Sequence, residues 1–133
     1  MKSSFKLTLI LCLFLANSCS KDKSVRDDSL TGGKWELSEH LSDTGNGNGE
    51  WTAVNKSSRI DHISFKVNGD LDWDLNKEFQ TYIIKDSVTL SFIRADKSVQ
   101  TYAYQIKEGK LSMSPKEPIS CIETCGDKYV KTF

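Results

Sequence analysis

Apolar and polar residues alternate along most of this chain. Lys34-Trp-Glu-Leu-Ser-Glu-His-Leu41 puts Trp35, Leu37 and Leu41 on one side of a strand. Ile60, Ile63, Phe65 and Val67 mark a second strand, closed by Asn68-Gly69, a strong short hairpin signal. Leu71, Trp73 and Leu75 then alternate with Asp70, Asp72 and Asp74. Strands follow at Phe79–Ile84, Val88–Ile93 and Val99–Ile106. Glu108-Gly109 turns the chain into Leu111 and Met113, and Lys128–Phe133 forms the last strand. About eight short strands separated by turn residues, with no sustained 3.6-residue period, predict an all-β fold. The economical form is a small antiparallel up-and-down barrel, which leaves no edge strand.

Two segments interrupt the alternation. Ser42 to Glu50 is polar and glycine-rich, but it lacks the Lys-Ser/Thr ending of a phosphate loop and no helix follows it. It reads as a flexible connection at one end of the barrel, and as a lid if the barrel has a ligand mouth. Ser114-Pro-Lys-Glu-Pro118 carries two prolines, which exclude a central strand there.

The chain begins differently. Lys2 and Lys6 precede an apolar run from Leu7 to Ala16, then Ser18 and Cys19. The run is too short for a bilayer core of about 20 apolar residues and suits an export signal. The small residue before Cys19 resembles a bacterial lipoprotein signal, which implies cleavage after residue 18 and acylation of Cys19. Residues 1–18 are then the signal, residues 19–31 a lipidated cysteine with a polar tether, and residues 32–133 the barrel domain. Ala16 and Ser18 also satisfy the rule for ordinary secretory cleavage, which would leave an unlipidated protein. Cysteine arithmetic favours the lipid. Cys12 leaves with the signal, and pairing Cys121 with Cys125 leaves only Cys19 over.

The 18 basic and 18 acidic residues balance, and removal of Lys2 and Lys6 tips the mature chain slightly acidic. That gives no support to nucleic-acid binding. Ser20 to Thr31 is mixed in charge and reads as a solvated tether with a reach of roughly 20 Å.

Gly33-Lys34-Trp35 at the start of the first strand is the Gly-x-Trp element of lipocalins, and the chain ends on Cys121-Ile-Glu-Thr-Cys125-Gly-Asp-Lys-Tyr129-Val-Lys131. With the leader and strand count, these motifs resemble the lipocalin-like domain of small lipoproteins of Gram-negative bacteria, over Leu30 to Phe133. The resemblance implies a cell-envelope protein, held most simply at the outer membrane. It also implies that Trp35 packs at the closed barrel end beneath Lys131, close to Gly33. Lys stands where an arginine would stack, and a cation over the indole contributes about 0.5–2 kcal/mol.

Cys121 and Cys125 read as a structural disulfide in an oxidising compartment. A redox pair fits this spacing poorly, and a zinc site would need His40 and His62 as further ligands. Asp61-His62 suggests half of a hydrolase arrangement, but neighbouring strand residues face opposite ways and no Gly-x-Ser-x-Gly is present. Asp70, Asp72 and Asp74 lack the glycine and glutamate of an EF-hand loop; they read as a solvated strand face, with a weak surface calcium site as the alternative. The expectation is a non-enzymatic protein without a cofactor, anchored to a membrane through Cys19, that binds a small, mainly apolar ligand inside the barrel. The alternative is a filled barrel acting as a structural or interaction module, since eight strands are just wide enough for side chains to fill.

Overall fold

The computed structural model describes Asp27 and residues 29–43, 45–122 and 124–133. Cys19, the leader and most of the tether lie outside the described residues. Nine strands form one antiparallel sheet: β1 (Lys34–Ser42), β2 (Glu50–Ala53), β3 (His62–Phe65), β4 (Leu71–Trp73), β5 (Phe79–Asp86), β6 (Thr89–Arg94), β7 (Val99–Lys107), β8 (Lys110–Glu117) and β9 (Gly126–Thr132). Among the described residues there is no helix.

The strand order β4-β3-β1-β9-β8-β7-β6-β5 makes a nearly closed up-and-down barrel, the architecture of lipocalins. β5 and β4 meet at the seam through the Asp70–Thr81 bridge and the Tyr82 N–H bond to the Gly69 carbonyl (2.9 Å). β2 is the strand the alternation did not predict. It shares one edge of β1 with β3: β2 pairs with Glu39–Ser42 of β1, and β3 with Trp35 and Glu36. All four of its residues are exposed, so it carries no buried-face signal.

Four local expectations need correction. Leu41 does not share a face with Trp35 and Leu37, because β1 bulges between Leu37 and Glu39. The Ser38 hydroxyl donates to the Lys128 carbonyl (2.9 Å) at the bulge, and the extra residue reverses the alternation beyond it. Leu75 is 53% exposed because β4 ends at Trp73, and Val67 stands exposed in the β3–β4 turn. Pro115 lies within β8, paired with Tyr102. β9 covers β8 only as far as Met113, so the proline sits where no N–H is needed on that side.

The domain's packed part also starts earlier than residue 32. Leu30 is fully buried in the core, and its carbonyl accepts the Trp35 indole N–H at 2.8 Å. Aromatic side chains make up much of the buried core. Phe65, Trp73, Phe79, Tyr82, Phe92 and Tyr102 form one contiguous group with ring centroids 5.0–6.1 Å apart. Each pair at such distances adds about 0.5–1.5 kcal/mol beyond its buried area.

Candidate functional site

Chain direction assigns the two ends of the barrel. The segment before β1, the β3–β4, β5–β6 and β7–β8 turns and the C-terminus gather at one end; the β1–β2 loop and the disulfide loop before β9 lie at the other. At the first end Lys131 lies opposite Trp35, with its ammonium 5.3 Å from the indole centre. The same ammonium donates to the carbonyls of Ser29 and Thr31, each at 2.8 Å. A side chain on Gly33 would place its Cβ 2.7 Å from Lys131 Cε, so this residue must be small for the lysine to lie down. These contacts close the end.

At the opposite end Cys121 and Cys125 form a disulfide with Cα atoms 6.0 Å apart. The buried Gln100 side chain latches the loop that carries it, donating to the Ile119 carbonyl at 2.8 Å and accepting from its N–H at 3.3 Å. Asp43 organises the glycine-rich β1–β2 loop by accepting from the N–H groups of Gly45, Asn46 and Gly47 (2.8, 3.1 and 3.2 Å).

The candidate chemistry of the histidines and aspartates is dispersed. Asp61 is buried; His62 faces away from it, with Glu36 3.6 Å from Nε2 and Asp74 3.2 Å from Nδ1. His40 Nδ1 lies 2.6 Å from Asp127. Asp72 and Asp74 share the Lys77 ammonium at 2.8 and 3.4 Å, while Asp70 accepts from the Asn68 amide at 2.8 Å. The three carboxylates thus do not converge. Among the described residues no three His, Cys, Asp or Glu side chains are arranged to hold a metal ion.

The outer sheet face does gather functional groups. Gln105, Ser112, Lys128, Glu39 and Ala53 are register partners in turn, a row running across β7, β8, β9, β1 and β2. The β1 bulge places Glu39 in that row by turning it from the core side to face Lys128. Lys110 and Lys128 both donate to the Glu39 carboxylate at 3.1 Å, and these bonds hold its pKa below the ordinary 4.5. Trp51 of β2 folds over Lys128, whose ammonium lies 3.8 Å from the ring centre. The resulting open cleft of about 430 Å³ is lined by Trp51, Gln105, Lys107, Glu108, Lys110, Ser112 and Lys128. Its size falls in the ~300–1,000 Å³ range of small-molecule sites.

No protein-family model matches the chain, and no curated protein or solved structure is significantly similar to it. Of the site residues named from the sequence, Trp35, Lys131 and Gly33 meet at the closed end and the two cysteines at the other. None of them lines the cleft. Sequence reasoning missed the cleft because its residues come from four strands. Their alternation marks Gln105 and Lys107, or Lys110 and Ser112, as sharing a face, but only the pairing register brings them beside Lys128 and Trp51. Trp51 itself was a signal: a large aromatic next to a glycine-rich loop, in a stretch too polar to bury it.

Proposed function

We propose that this chain is a lipocalin-like lipoprotein of the bacterial cell envelope that acts without catalysis, as a binding module working through the outside of a filled barrel. The lipid on Cys19 would hold it to the outer membrane. The packed aromatic group supports this reading: from Phe65 to Tyr102 its rings lie 5.0–6.1 Å apart inside the barrel. The leader, the Gly-x-Trp element and the terminal cysteine motif support the envelope assignment.

A small apolar ligand inside the barrel is the second reading. One observation favours it: Tyr102, in the aromatic group, is only partly buried, and its phenol feels the charges of Asp127, Glu78 and Arg94, as a residue near a mouth would. Native mass spectrometry of the protein extracted from its own membranes separates the two. A clean protein mass with an acylated Cys19 is expected; a second mass, lost on activation, would make the internal ligand the better reading. Cys19→Ser should release the protein into the soluble fraction, and continued membrane attachment would remove the lipid anchor from the proposal.

A further inference from the structure

Resting on the surface-binding reading, we propose that the Trp51 cleft takes an acidic saccharide, a short chain of sugar rings bearing a carboxylate. The lining fits no purely apolar molecule. Gln105 and Ser112 lie on it with an amide and a hydroxyl, and an apolar ligand covering them would leave hydrogen-bonding groups unpaired at about 1–3 kcal/mol each. Sugar hydroxyls donate and accept in the pattern these groups require.

Trp51 supplies the complementary surface. It is 36% exposed, whereas Trp35 and Trp73 are buried. The Lys128 ammonium covers one face of this indole, and its exposed remainder offers apolar surface to the C–H face of a sugar ring while the rim stays wet.

Charge selects an acidic sugar over a neutral one. Lys107 and Lys110 are direct cross-strand partners next to the β7–β8 turn, and like charges placed opposite each other in a sheet repel. The lining carries Lys107, Lys110 and Lys128 against Glu108, and Lys110 shares the Glu39 carboxylate with Lys128, which leaves one positive charge in excess. Lys107 makes no ion pair among the described residues. A ligand carboxylate beside Lys107 gives that ammonium a partner and offsets the excess positive charge, while Lys110 stays bonded to Glu39. One such charge per ring, on a body of hydroxyls with an apolar face, is the chemistry of a uronic acid.

The test uses acrylamide quenching of the full chain in detergent, which reads Trp51 because the other two tryptophans are buried. Trigalacturonate should shield Trp51 from the quencher, and maltotriose, its neutral counterpart, should not. Lys107→Ala should weaken the trigalacturonate effect about tenfold, the loss of one charge-assisted contact, with a urea midpoint no lower than the parent's. No shielding by trigalacturonate, equal shielding by maltotriose, or an unaltered response of Lys107→Ala would each overturn the proposal. So would shielding by an acidic peptide in place of the sugar. Failure of the filled-barrel reading looks different: a bound molecule in the native mass spectrum that persists in Trp51→Phe and Lys107→Ala.

Discussion

Asp61 is the residue on which the interior polar chemistry converges. It is 3% exposed, and its carboxylate accepts the Trp73 indole N–H at 2.6 Å, the Leu75 N–H at 2.9 Å and the Tyr129 hydroxyl at 3.2 Å. Burial, with Asp127 and Asp61 nearby, pushes the Tyr129 phenol above its ordinary pKa, so it stays a donor. Asp61→Ala orphans three donors and should lower stability by about 3 kcal/mol, read from the urea midpoint. Asp61→Asn keeps an acceptor oxygen and should lose about half of that. Equal stability of both variants with the parent would mean that water replaces the carboxylate at no cost. Glu39 supplies a pH dependence of known sign. Its folded pKa lies below its unfolded value because Lys110 and Lys128 bond the carboxylate. Its stabilising contribution is therefore complete above the unfolded value near 4.5 and fades as pH falls through the folded one. Acid titration of the urea midpoint should thus fall more steeply below that value in the parent than in Glu39→Gln. The difference should shrink in high salt, since the group is solvent-facing.

At the scale of elements, the closed end behaves as a single device in which Gly33 and Lys131 depend on each other. Gly33→Ala would drive its methyl against Lys131 Cε and displace the ammonium from the Ser29 and Thr31 carbonyls. Gly33→Ala and Lys131→Ala should each cost about 1–2 kcal/mol, and the double variant clearly less than their sum. Full additivity in urea denaturation would show that the two do not act through one contact. This coupling also marks how far the sequence is legible. Gly-x-Trp and the terminal basic residue are visible in it, and strands with an apolar face of Trp, Ile, Phe or Leu announce themselves by period two. β2 does not, because Glu50-Trp-Thr-Ala53 buries neither face. The bulge at Ser38 is equally silent: Leu41 continues the period of Trp35 and Leu37, and only the pairing with β9 shows the chain slipping by one. That slip takes Glu39 out of the core to where it holds Lys110 and Lys128 of the cleft, so the residues that build the candidate site are those whose position depends on register.

For the whole molecule, closure of the barrel is uneven. β1 and β9 are paired along seven register positions, from Lys34–Thr132 to Leu41–Gly126, whereas β4 has three residues and meets β5 through one bridge and the Tyr82–Gly69 bond. Side chains do there what the backbone ladder does elsewhere. Phe65 packs edge-on against Tyr82 at 5.0 Å, Trp73 stacks on Phe79 at 5.8 Å, and the Tyr82 hydroxyl donates to the Lys66 carbonyl at 2.8 Å. Local opening draws on the elements with the fewest mutual bonds, so the seam should open before the β7–β8–β9–β1 wall. Amide hydrogen exchange tests this: N–H groups of β3 and β4 should exchange at a lower opening free energy than those of β8 and β9. Phe79→Ala, which removes the ring stacked on Trp73, should cost about 3–5 kcal/mol. If it also speeds exchange at Tyr82 more than at Tyr129, the aromatic contacts close the barrel. Uniform exchange across all strands would mean that the barrel unfolds as one unit, with the seam as strong as the rest. The cleft lies away from the seam, lined from β7, β8, β9 and β2, so a ligand seated there would bind mainly the part of the barrel expected to open last.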